Sequence, residues 1–143
     1  MRTRFVVLLV LLLIGCKKDE ERVYQDNYTC FIQANWDSTT VAQALEGQWT
    51  WDYTASYWGN KGSKVSDSGV TVEFKADGTV QVYERGTLTE SAKWTVGIHK
   101  SEYRLKTTPY VGLFDGRIAI CEDRVEFNGA ILDGFTNIFK KKM

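Results

Sequence analysis

From Gly47 onward the chain alternates apolar and polar residues and is broken at short intervals by turn chemistry. A period of two with frequent turns restricts such a chain to short antiparallel strands. Trp49, Trp51 and Tyr53 share one face of the first strand, Val70, Val72 and Phe74 one face of the next, and Val80 and Val82 follow across Ala76-Asp77-Gly78. The run from Phe74 to Val80 is the clearest hairpin, because Asp-Gly supplies the positive φ that such turns need. Further strands are predicted over Leu88 to Val96, Glu102 to Thr107, Arg117 to Cys121, Arg124 to Phe127 and Phe135 to Lys140. Gly97 to Ser101 reads as a hairpin turn and Asn128-Gly129 as another, with Asp133-Gly134 close behind it leaving that register open. The glycine-, serine- and lysine-rich stretch from Trp58 to Asp67 reads as a long loop. Ahead of the strands, Asp37-Ser38 offers an N-cap, Val41 and Leu45 stand one turn apart, and Gly47 suits a helix end, which predicts one short helix.

Eight or nine short strands with one short helix make an all-β fold, a meander sheet closed into a barrel or folded into a sandwich. Closure removes sheet edges that would pair with other chains. The expected architecture is therefore an antiparallel eight-stranded meander barrel with one short N-terminal helix. A barrel of that size either fills its interior with side chains or holds one small ligand.

The N-terminus carries a different signal. Ten unbroken apolar residues, Phe5 to Ile14, follow Arg2 and Arg4 and precede Gly15-Cys16. A membrane span needs about 20 apolar residues, so this is a secretory signal peptide over residues 1–15. Leu13-Ile14-Gly15-Cys16 resembles the lipobox of bacterial lipoproteins. The resemblance implies that cleavage falls before Cys16, that its sulfur is lipidated and that its new amine takes an acyl chain such as palmitate. Two or more acyl chains hold a protein durably on a membrane. Lys17-Lys18-Asp19-Glu20-Glu21 resembles the lysine-then-acidic export signal of surface lipoproteins in Bacteroidetes-like bacteria, and a plain solvated tether fits it nearly as well. The expected place is the outer membrane, on its periplasmic or its cell-surface side. Residues 16–36 are then the lipidated N-terminus and tether, and 37–143 the barrel domain.

Cleavage leaves 128 residues, enough for one domain with a core. The mature chain has 16 basic and 18 acidic residues, a net charge of about −2, which argues against nucleic acid as a partner. Once Cys16 is consumed by lipid, Cys30 and Cys121 remain as a pair in an oxidising compartment. A disulfide between them would tie the N-terminal arm to a late strand, and two buried free thiols are the alternative.

Leu45-Glu46-Gly47-Gln48-Trp49, opening the first strand after a short helix, resembles the Gly-x-Trp start of lipocalins and of lipocalin-like lipoproteins of the Bacteroidetes. The hairpin from Val72 to Thr79 is similar to that family's second-to-third-strand hairpin, and Asp133 to Lys140 to its final strand. In lipocalins the tryptophan matching Trp49 closes one barrel end against an arginine near the last strand, and this chain offers Lys140 to Lys142 there. No copy of the middle Thr-Asp-Tyr motif is present, since Trp51-Asp52-Tyr53 lies in the wrong strand.

Catalytic machinery is not visible. His99, the only histidine, falls in a turn, Ser101-Glu102 lacks the glycines of a nucleophile elbow, and no phosphate loop or cofactor motif occurs. Asp115, Glu122-Asp123 and Asp133 fit no calcium loop, and no metal is expected. Aromatic residues offer the best binding surface. Trp49, Trp94 and Tyr103 read as core, whereas Tyr57 and Trp58 open a polar loop where burial is not available, and with Trp51 and Tyr110 they are the candidate ligand-binding set. The expectation is a non-catalytic, lipid-anchored envelope protein that binds a small apolar ligand or glycan. The alternative is a structural or protein-interaction module of the outer membrane whose barrel is filled by side chains.

Overall fold

A computed structural model describes residues 27–56, 69–129 and 135–143. The signal peptide, Cys16, Tyr57, Trp58 and Asp133-Gly134 lie outside the described residues. Two short helices, α1 (Tyr28–Gln33) and α2 (Ser38–Leu45), precede eight strands: β1 (Gly47–Ser56), β2 (Val70–Phe74), β3 (Thr79–Glu84), β4 (Thr87–His99), β5 (Glu102–Thr108), β6 (Arg117–Cys121), β7 (Arg124–Asn128) and β8 (Phe135–Lys141). Each strand pairs with its sequence neighbour and β8 pairs with β1, so the sheet is a closed antiparallel barrel. The fold is the eight-stranded meander that the alternation predicts.

Helix α2 begins where its cap places it, with the Asp37 carboxylate accepting the Thr40 backbone N–H at 2.7 Å. Val41 and Leu45 are fully buried and turn the apolar side of α2 against the barrel. The β2–β3 hairpin turns over Ala76-Asp77-Gly78: Gly78 has φ +75°, Lys75 N–H donates to the Thr79 carbonyl, and the Asp77 carboxylate accepts the Thr79 N–H at 2.8 Å. Glycine serves a different need at residue 116, where a Cβ would overlap the Asn128 carbonyl, so the entry to β6 can pass β7 only without a side chain.

Several sequence expectations need correction. Helix α1 lies within the stretch read as tether, so the described residues hold two short helices ahead of the strands and not one. Trp49, Trp51 and Tyr53 do not share a face: Trp51 faces Phe139 and Tyr53 faces Ile138, with a bulge between them that reverses the alternation. Tyr53 therefore joins Ile138 and Ala55 in a second small cluster on the other side of the sheet. The β4–β5 turn is tighter than Gly97 to Ser101, because β4 runs through His99 and only Lys100 and Ser101, both at positive φ, make the reversal. Asn128-Gly129 is not a two-residue hairpin turn: Asn128 ends β7, and the chain returns at Phe135, whose carbonyl accepts the Gly129 N–H. The tight turn of this region is Glu122-Asp123, between Cys121 and Arg124.

Cys30 and Cys121 form a disulfide that joins α1 to the end of β6 and closes a loop with a sequence separation of 91. Closing a loop of that size removes about 4 to 5 kcal/mol of conformational freedom from the unfolded chain in the entropy model. Replacing both cysteines by serine is expected to lower unfolding stability by about 2 to 5 kcal/mol, measured by denaturant titration, with the barrel's far-ultraviolet spectrum retained.

Acid should weaken the two local caps. The Asp37 carboxyl is held below its ordinary value of 3.8 chiefly by the Thr40 backbone N–H, and that of Asp77 chiefly by hydrogen bonding to the Thr79 side chain and then its backbone. A carboxylate depressed in the folded state contributes stability above its unfolded pKa and loses it as pH falls through the folded value. Asp37→Ala and Asp77→Ala should each lower the melting temperature at pH 7, and the difference from the parent protein should vanish in melts recorded well below pH 3.8.

Candidate functional site

The barrel has two unlike ends. The first carries α2, the β2–β3, β4–β5 and β6–β7 turns and the C-terminus; the second carries the β3–β4 turn and the connector from β5 to β6. At the first end Trp49 is fully buried, its indole N–H donates to the Leu45 carbonyl at 2.7 Å, and the Lys141 ammonium lies 5.1 Å from the ring centroid. Lys141 also donates to the Ala44 carbonyl at 3.1 Å, tying the last strand to α2. Lys141 is thus the member of the terminal lysine run that meets Trp49.

At the second end the connector after β5 folds inward. Thr107 Oγ1 accepts the Val111 N–H at 2.8 Å, Gly112–Phe114 forms a 3₁₀ turn, and Val111 and Phe114 are both buried. The Phe114 ring sits 5.2 Å from Phe74, 5.3 Å from Phe127 and 6.1 Å from Phe139. Phe74 in turn meets Trp94 edge-on at 5.3 Å. Aromatic pairs at these separations each contribute about 0.5 to 1.5 kcal/mol beyond the area they bury. Asn137 Nδ2 donates to the Leu113 carbonyl at 3.1 Å, and Thr54 Oγ1 donates to Asn137 Oδ1 at 2.9 Å, fixing the connector to β8 and β1. Side chains from the strands and from this connector therefore meet in the interior around Phe114.

The candidate ligand-binding residues are not gathered into one described site. Trp51 lies half-buried against the core, stacked on Phe139 at 6.3 Å. Tyr110 stands on the connector, 71% exposed, its ring over Gly112. Its hydroxyl is held above the usual phenol value by local desolvation, then by the charge of Asp115 and a hydrogen bond to it. Phe135, 64% exposed, and Leu88, 48% exposed, stand at the same barrel end. His99 is exposed at the end of β4 and faces Glu102 across the turn. Asp123 pairs with Lys140 at 3.5 Å, and among the described residues no three metal-ligating side chains converge.

Sequence reasoning missed the region where α1 covers the barrel wall. Strands β5 and β6 face each other at one residue pair only, Arg104 and Arg117. Helix α1 lies over β6 beside this seam, Phe31 buried against the edge of Tyr103 at 5.9 Å and stacked with Trp36 at 5.7 Å. The Tyr103 hydroxyl donates to the Trp36 carbonyl at 2.8 Å, and the Arg117 guanidinium lies over the Tyr28 ring at 3.6 Å. The available signal was Tyr28, Phe31, Ile32 and Trp36, a cluster of large apolar residues too dense for a solvated tether.

Comparison of the chain with protein-family models, with curated proteins and with solved structures finds no match.

Phe114→Ala is expected to destabilise the fold by about 3 to 5 kcal/mol, since a buried phenylalanine leaves a cavity that its neighbours fill only in part. Denaturant titration checks the loss, and the variant should take up a small apolar probe such as benzene that the parent protein does not bind.

Proposed function

We propose that this chain is a lipid-anchored lipoprotein of the outer membrane, lipocalin-like in kind, that acts without catalysis as a protein-interaction module through its outer surface. The observation that carries this reading is Phe114, which packs among Phe74, Phe127 and Phe139 where a hollow barrel would hold its ligand. Filled barrels use their exteriors and loops. Two features support the outward role: Tyr110, Phe135 and Leu88 are each exposed at the barrel end that carries the β3–β4 turn and the β5–β6 connector, and the anchoring segment enters at α1. A partner protein would meet the aromatic rim, because large apolar side chains left in water at one end of a domain are the usual anchors of protein contacts.

This reading is favoured over an apolar ligand or glycan held inside the barrel near Tyr57, Trp58, Trp51 and Tyr110, because Trp51 is already spent on packing against Phe139. The test is a native mass spectrum of the mature protein extracted in mild detergent from its own host's envelope. The expected result is the lipidated chain with no further small molecule, and a reproducible non-covalent addition that survives Tyr110→Ala but not interior substitutions would overturn the filled-barrel role. Cys16→Ser should abolish both the acyl mass and membrane retention, measured by fractionation.

A further inference from the structure

The seam between β5 and β6 leaves a cleft of about 160 Å³ beneath α1. Its walls include Tyr28, Phe31, Trp36, Glu102, Tyr103 and Arg117. The volume would hold about five waters, or one compact molecule well below drug size. Aromatic rings make up much of the wall, and among its polar groups Arg117 and the Trp36 indole are donors only.

Two of those donors are buried with nothing to receive them. Trp36 Nε1 and Arg117 Nε have no hydrogen-bond partner, whereas buried N–H groups in folded proteins are nearly always paired with protein, water or ligand. The carboxylate in the wall itself, Glu102, is neutralised by Arg104 at 3.2 Å. Arg117 rests on Tyr28 with no carboxylate among the described residues at ion-pair distance. A guanidinium with no counter-charge among the described residues, and an indole N–H without an acceptor in the wall of the same cleft, suit an anionic oxygen pair.

We infer that the cleft under α1 binds a carboxylate carried on a compact ring, with Arg117 and Trp36 Nε1 receiving the carboxylate and the aromatic walls receiving the ring. The ring is that of a sugar acid or of an aromatic acid, two sources of the same recognition chemistry. The cleft shares no lining residue with the Phe114 cluster or the exposed rim of Tyr110, Phe135 and Leu88, so its test stands apart from both.

The experiment uses the full chain, expressed with its own signal and extracted in mild detergent, titrated with glucuronate and benzoate and with the neutral counterparts glucose and benzyl alcohol. Saturation-transfer NMR reads binding. At least one acid should bind saturably at millimolar or lower concentration, with its neutral counterpart at least tenfold weaker, and the tighter of the two acids assigns the ring. Arg117→Gln should weaken that acid at least tenfold, Arg117→Lys less, and Trp36→Phe several-fold while keeping the aromatic wall. Each variant is first checked for an unchanged melting temperature, and Arg117→Lys serves if Arg117→Gln does not fold. Absence of saturable binding by both acids, equal binding of the neutral compounds, or undiminished binding by the folded Arg117 and Trp36 variants would each overturn the site.

Discussion

The pairing of β1 with β8 is the contact on which this molecule depends. It runs from Trp49 opposite Lys141 to Ser56 opposite Phe135, and it brings together the first and last strands of the meander. Without it the sheet would expose two edges with unpaired backbone groups, and the interior side chains would face water. The same pairing carries the bulge between Trp51 and Tyr53. That bulge lets β1 serve two packing environments: Trp49 and Trp51 point toward the main core, and Tyr53 and Ala55 join Ile138 on the other face. On that second face Ala119, Glu126, Ile138 and Tyr53 stand in one cross-strand row, all buried, with Asn128 Nδ2 donating to Glu126 Oε1 at 2.8 Å.

Closure is uneven around the circumference. Strands β6, β7 and β8 are paired along their lengths, while β5 and β6 meet at Arg104 and Arg117 alone. The weak place is where the chain spends its N-terminal helix and its disulfide. A helix of six residues does not persist by itself in water, so α1 exists because Phe31 is buried against Tyr103 and Trp36 and because Cys30 is bonded to Cys121. The connector from β5 to β6 compensates at the other end of the same seam by inserting Val111 and Phe114. Core, seam and helix are therefore one packing problem, solved by residues from both sides of the gap.

The barrel was legible in the sequence because alternation and turn residues are local signals. Val70-Val72-Phe74, Asp77-Gly78 and Val80-Val82 state a hairpin without help from the rest of the chain, and Asp37 states a helix start. The bulge was hidden because Trp49, Trp51 and Tyr53 are all apolar enough for one face, and only their partners on β8 show where the register slips. Helix α1 was hidden for a related reason: its Asn27 cap makes no side-chain hydrogen bond, and its stabilising contacts come from residues far along the chain. Phe114 sits in a three-residue turn with no periodicity to read, so its inward direction follows from the barrel it enters. The cleft inherits this obscurity, because Tyr28, Trp36, Ser101 and Arg117 come from segments that only the closed fold makes neighbours.

The position of the disulfide also decides how the molecule carries mechanical load. A pull on the chain ahead of Asn27 enters α1 at Tyr28 and two residues later reaches Cys30, where the covalent bond passes it into the end of β6 at Cys121. The stretch between them, residues 31–120 and including β1 to β5, is short-circuited. Tension between the N-terminus and Met143 thus cannot lengthen those strands while the bond is intact. It falls on the β6–β7 turn and on the ladders that hold β7 and β8.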